Sequence, residues 1–333
     1  MLNKNLIEEI LKNLKIDNEV NFSNLENDEI LIDKDFEAID YSQLIQIREY
    51  KQGFTNRLLY RYSEPIQELE IFSELCKTIG HNTYNRLELE ADNKEEAIRR
   101  LHQKSTLICS EIIYLIKGGY PAAALSRWRT LFETSIIAIF LAINDEEIAK
   151  RYIDYTIVES KNELDSYLEN SSYLGFEEIP KHKINHINAK YDEILKTYGK
   201  DFKKNYGWAS KVLNIKQPNL HDLMDFTDSL YMKPFYKFSN NYIHGGAKSL
   251  FYNLGYIDGV LDESTIASSS NIGFTDPAQL CALSYFNSTL AFLSVAPTEE
   301  DLMLLIDLYY KINRIANKFS QIENKIIKEE ADE

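Results

Sequence analysis

Two short segments of this sequence carry the residue types that could do chemistry. In GGYPAAALSRWRTLFETSIIAIFLAIND, Arg129 and Glu133 stand four residues apart, and in MKPFYKFSNNYIHGGAK, Asn240 stands four residues before His244. On a helix that spacing puts each pair on one face, one turn apart. An arginine presents a rigid fork of donors suited to phosphate or carboxylate, and a histidine exchanges protons near neutral pH. At the end of a helix the backbone dipole favours the charged imidazole, which suits acid–base work. The candidate catalytic residues are therefore His244, Arg129, Glu133 and Asn240. Glu111, Arg127, Ser239 and Lys237 are candidate ligand-binding neighbours. The competing expectation is structural: a half-buried arginine must be paired, so Arg129, Glu133, Glu111 and His244 would form a polar network locking inner helices.

A second candidate surface lies between Lys181 and Lys216, which holds nine lysines against three acids, a balance of +6 in a chain of net charge −15. Its lysines alternate with Tyr191, Tyr198, Phe202, Tyr206 and Trp208, a mixture of cation and ring that single-stranded nucleic acid exploits. Lys203, Lys204 and Trp208 are the expected RNA contacts. The plainer alternative is a solvated lysine face with its aromatics turned inward. The acidic balance elsewhere confines any nucleic-acid site to such a local patch. Met1 to Tyr50 has twelve acids against five bases, and this acidic region is a candidate surface for a protein partner.

The elements that must position these residues read as helices. Ser63-Glu64-Pro65 opens one ending at Gly80, and Asp92-Asn93 with Glu95 opens another ending at Gly118-Gly119. Pro121 begins a third through Ile143, and Asp145 a fourth to about Glu169. Lys181 to Tyr198, Asn219 to Leu230, Lys233 to His244 and Asp276 to Val295 follow, and Thr298 caps a last long helix toward Lys328. At about 100° per residue, Leu125, Trp128, Phe132, Ile136, Ile139 and Ile143 form one stripe of the third helix. Arg129 and Glu133 lie on its edge and Arg127 on the far side. In the preceding helix Leu101, Lys104, Ile108, Glu111, Ile112 and Leu115 share a face, which predicts that Lys104 and Glu111 meet the central helix.

The fold class expected is all-α, a multi-helix bundle with one irregular Gly/Ser-rich loop at 249–275. The expected organisation is an acidic helical region over 1–90, a central bundle over 91–248 carrying both motifs, that loop, and a C-terminal helical hairpin over 276–333. The hairpin's Leu302 to Ile327 is a candidate oligomerisation helix, which would give a homodimer.

Arg129-x-x-x-Glu133, preceded by Gly119 and a run of small residues, together with Ser239-x4-His244, resembles a widespread bacterial and phage family of helical proteins known as a domain of unknown function. The resemblance covers roughly Asn93 to Gly246. That family is similar in outline to HEPN bundles, which are often metal-independent ribonucleases of toxin–antitoxin and phage-defence systems. The resemblance implies that His244 activates a ribose 2′-hydroxyl while a cation stabilises the phosphorane. HEPN nucleases carry an arginine separated from that histidine by four to six residues of one helix. Here Lys237 gives K-x6-H, so the arginine would come from another helix, as Arg129.

Other chemistries find no footing. Cys76, Cys109 and Cys281 are widely separated, which predicts a reducing, cytoplasmic setting without a disulfide framework. His182-x3-His186 has zinc-ligand spacing but no third ligand, so neither metal nor cofactor is expected. There is no phosphate-binding glycine loop, dinucleotide fingerprint or nucleophile elbow. The start MLNKNLIEEILKNLK carries acids inside its apolar stretch, unlike a signal peptide. The longest apolar run, Thr134 to Ile143, is half of the ~20 residues a membrane span needs. Two functions remain: a HEPN-like ribonuclease or toxin, and a non-catalytic helical sensor or scaffold whose Arg/Glu/His network binds an anionic ligand or a protein.

Overall fold

Local capping sets the frame of the bundle. Asp92 Oδ1 accepts from Glu95 N at 2.8 Å and the Glu95 carboxylate accepts from Asp92 N at 3.3 Å. This reciprocal cap starts a helix whose orphan donors would otherwise need water. It runs from Asn93 to Lys117, and Pro121 then opens the next helix, where its missing N–H costs nothing.

The computed structural model describes residues 41–87, 92–175, 177–244, 246–248 and 269–331. The chain groups into two units, Met1–Phe54 and Thr55–Glu333. Of the first, residues 41–54 are described, as the start of a helix. The acidic 1–40 segment and 249–268, most of the expected loop, lie outside the described residues.

The described residues form helices and no strand, so the protein is an all-α multi-helix bundle. In chain order these are α1 (Tyr41–Arg61), α2 (Ser63–Asn85), α3 (Asn93–Lys117), α4 (Pro121–Ala142), α5 (Glu146–Asp154), α6 (Thr156–Leu174), α7 (Lys181–Tyr198), α8 (Leu220–Phe226), α9 (Lys233–Ile243), α10 (Thr275–Leu293) and α11 (Glu299–Ala331). Short 3₁₀ turns and the single turn Ser210–Leu213 fill the chain between α7 and α8. No helix among the described residues is long and apolar enough to cross a membrane.

Helix α4 is the centre, packed by α3, α10, α9 and α8. Leu125, Trp128, Phe132 and Ile136 of the expected stripe are buried, but so are Leu131, Ala138, Phe140 and Leu141, while Ile143 is exposed. A helix covered on most sides has no single core stripe. Each large apolar side chain buried there contributes about 1.5–3 kcal/mol. Trp128, fully buried, donates Nε1–H to Ser284 Oγ at 2.9 Å, pinning α4 to α10. Helix α10 packs also on α2, α3 and α11.

Three expectations are corrected here. Helix α2 does not stop at Gly80 but continues to Asn85. A Cβ at Gly80 would lie 2.2 Å from His102 Cε1, so this glycine serves a close approach rather than a helix end. The helix opened by Asp145 breaks at Tyr155 into α5 and α6. The Tyr155 hydroxyl there donates to Lys204 O at 2.9 Å. Finally, Lys104 is exposed, because the inward face of α3 is built from His102, Ser105, Cys109 and Ile112, and that centre turns Lys104 outward.

Candidate functional site

Arg129 is 21% exposed and Glu133 33% exposed on the side of α4 that faces α9. The Arg129 guanidinium donates from Nε to Glu133 Oε1 at 3.2 Å, from Nη1 to Asn240 Oδ1 and from Nη2 to the Tyr236 hydroxyl. Tyr236 in turn donates its hydroxyl proton to Glu133 Oε1 at 2.6 Å. The guanidinium carbon also sits 4.1 Å from the centroid of the Tyr236 ring. This closed circuit joins α4 to α9. Burial, then the hydrogen bond and charge of Glu133, push the Tyr236 phenol well above its ordinary value, so it remains a donor. Burial and the same carboxylate push Tyr206 upward as well.

Beside the circuit lies a cleft of about 840 Å³. Its walls bring together Ser126, Arg127, Arg129, Thr130 and Glu133 of α4 with Tyr242, Ile243 and His244 at the end of α9. His244 is exposed and is the cap of α9, with extended backbone (φ −105°, ψ 139°). The helix therefore ends one residue earlier than expected, and the imidazole projects from the chain leaving it. Ser126 Oγ lies 3.2 Å from Tyr242 O, and so fixes where that chain departs.

Not every candidate reaches this cleft. Asn240 meets His244 only through its backbone, its carbonyl accepting from His244 N at 3.1 Å, because its side chain is turned to Arg129. The expected contact from the Asn240 side chain to the imidazole is thus replaced by Arg129. Ser239 is fully buried and donates to Tyr236 O at 2.8 Å, so it faces inward. Lys237 is exposed on α9 and does not line the cleft.

Glu111 does not answer Arg129. It accepts from Arg127 Nε, with side chains 39% and 36% exposed respectively. A pair that open to solvent contributes only about 0–1 kcal/mol. Glu111→Ala is therefore expected to lower the unfolding free energy by no more than about 1 kcal/mol in a urea titration; a loss of about 3 kcal/mol, as for a buried pair, would show that it locks α3 to α4.

The basic stretch separates into two parts. Helix α7 buries none of its residues, and its lysines and both His182 and His186 are solvated or nearly so. Trp208, expected to stack on RNA, is 2% exposed, edge-on to Phe140 and Tyr152 at 5.5 and 4.9 Å, so its faces are not open to a base. The anchor is Arg151, which is buried and donates to Trp208 O at 3.0 Å, with its guanidinium 4.7 Å from the Tyr198 ring. Lys203 is exposed and Lys204 pairs with Asp201 at 2.8 Å. Neither lines the cleft.

Tyr236 and Arg151 are the site and scaffold residues that sequence reasoning misses. Tyr236 stands one turn before Asn240 on the same face of α9, a spacing that could have marked it. Nothing local marks Arg151, whose partners are two backbone carbonyls and the Ser210 hydroxyl far along the chain.

What fold and site define is an all-α bundle with a polar circuit between two helices, opening on a cleft that ends in a histidine. Residues 95–259 match the model of a family of unknown function, DUF5677. That span contains both motifs, the central helix α4 and the cleft. Neither the curated proteins nor the solved structures gave a match.

Proposed function

We propose that this protein is a HEPN-like, metal-independent ribonuclease or toxin of the phage-defence kind, acting at the α4–α9 cleft. The observation that carries the reading is that exposed His244 and half-buried Arg127 line one open cleft with the Arg129 circuit behind them. In this chemistry His244 takes the proton of a ribose 2′-hydroxyl as that oxygen attacks the neighbouring phosphorus. The bond from phosphorus to the 5′-oxygen breaks, and the leaving oxygen receives a proton from the imidazolium. Arg127 uses Nε on Glu111, which leaves its terminal nitrogens to meet the phosphorane oxygens. Arg129 then acts as a positioning residue, because it fixes Asn240, whose carbonyl holds the His244 backbone. A cytoplasmic setting suits three cysteines that are all free.

The test is incubation of the purified chain with single-stranded RNA in excess EDTA. Cleavage leaving 2′,3′-cyclic phosphate ends is the expected result. Intact RNA at every protein concentration would sink the reading. The engaged donors of Arg129 favour a second reading, a sensor or scaffold that binds an anionic ligand or a protein partner without reaction. Saturable RNA binding without cleavage would select it.

RNA approaching along the basic stretch should feel Lys203 and Lys204. The double charge reversal is expected to weaken binding and flatten its log–log salt dependence by about one unit for each phosphate no longer neutralised. Fluorescence anisotropy at several salt concentrations measures the slope, and an unchanged slope would remove these lysines from the RNA path.

A further inference from the structure

A second cleft, sharing no residue with the first, opens between α2, α3 and α10 with a volume of about 480 Å³. Its floor is His102, only 4% exposed. The imidazole is held between the rings of Tyr285 and Phe292, at centroid distances of 5.6 and 5.2 Å, and against the bare Cα of Gly80. Such packing fixes the ring orientation.

The hydrogen bonds of this ring fix its tautomer. Thr289 donates its hydroxyl proton to Tyr285 O at 2.8 Å, so its oxygen must accept from His102 Nε2, 3.3 Å away. The proton thus resides on Nε2, and Nδ1 presents a lone pair. Among the described residues Nδ1 bonds to no protein group, yet no buried side-chain nitrogen or oxygen there lacks a partner. His102 itself lines the cleft, so Nδ1 is the acceptor that its ring has left to offer there. Burial depresses the imidazole to about 4, which keeps it neutral and an acceptor at physiological pH.

The rim has a different chemistry. Tyr84, 53% exposed, lies at the mouth with Arg99 5.8 Å from its ring centroid, and Lys77 and His81 stand beside it. Among the described residues no carboxylate lines the cleft. Lys77 and Arg99 are paired to Glu74 and Glu96 on the outside. The Lys77–Glu74 pair, 58% and 69% exposed, is weak enough for a ligand anion to compete, while Arg99 keeps Nη1 outside its two bonds to Glu96. A floor that accepts one hydrogen bond, a ring at the mouth and a basic rim together select a planar heterocycle with an N–H donor inward and a negative charge outward.

We propose that this cleft binds a free purine mononucleotide, its amino edge on His102 Nδ1, its base against Tyr84 and its phosphate at Lys77 and Arg99. The volume lies within the range of small-ligand sites.

Isothermal titration calorimetry of the full chain with AMP tests it. Saturable binding is expected, weakened about tenfold or more for purine riboside 5′-monophosphate, which lacks only the 6-amino donor. This comparison reads His102 without touching the core. Tyr84→Ala and Lys77→Gln, both on the surface, should each weaken AMP binding about fivefold to tenfold with unchanged melting. Absence of saturable heat up to millimolar AMP would overturn the proposal, as would equal affinity for the two nucleotides or indifference to Tyr84→Ala. Tighter binding of a six-residue oligoadenylate than of AMP would overturn the assignment to a free nucleotide.

Discussion

Replacing His244 by alanine is expected to reduce RNA cleavage by about a thousandfold or more while shifting the melting temperature by no more than about 2 °C. Two features of the position lead to this split. The side chain is exposed and belongs to the residue that caps α9, so its removal takes little apolar area from the core. Surface substitutions of that kind usually stay within about 0.5 kcal/mol. The proton transfer, by contrast, has no substitute among the described residues of the cleft wall: Glu133 is engaged by Arg129 and Tyr236, and Ser126 by backbone. Circular dichroism melting run beside the cleavage assay separates the two effects. A variant that melts early but cleaves normally would make His244 a structural cap, and the nuclease reading would lose its acid–base group. Lys237→Ala is the matched control. Lys237 occupies the position nearest to the arginine of the HEPN pattern but stands outside the cleft, so cleavage is expected to persist.

What the sequence made legible follows from the range of each signal. Caps are local, and so Asp92 with Glu95, Pro121 and Thr298 give helix starts within a residue of the observed ones. Gly80 misleads because a glycine within a helix has two causes, termination or close approach, and only His102 across the interface distinguishes them. The Arg129–Glu133 pair is visible as a spacing of four on one helix. Its other half is not, since Tyr236 and Asn240 join it across more than a hundred residues. The same distance hides why Trp208 is buried: Phe140 and Tyr152 come from helices whose placement periodicity does not give. Periodicity alone also turns the inner face of α3 too far toward Lys104, because Ser105 and Cys109 count as interior only once Ser288 and Cys281 meet them at 2.8 and 3.5 Å.

The Arg129 circuit carries the second large effect. Arg129→Ala leaves the Glu133 carboxylate, the Tyr236 hydroxyl and Asn240 Oδ1 without their shared donor at a position where water enters only partly. Breaking a fully buried pair costs about 3–5 kcal/mol and an exposed one about 0–1. With side chains 21% and 33% exposed, Arg129→Ala is expected to cost about 2–3 kcal/mol, and Glu133→Ala about 2 kcal/mol. Once Arg129 is gone, removing Glu133 deletes an uncompensated charge rather than a partner. The double variant should therefore cost at least about 1 kcal/mol less than the sum of the two. Chemical denaturation of the four proteins gives the coupling directly. Simple additivity would mean that the two residues do not act as a pair, and Asn240 would then lose the tether through which Arg129 is held to position His244.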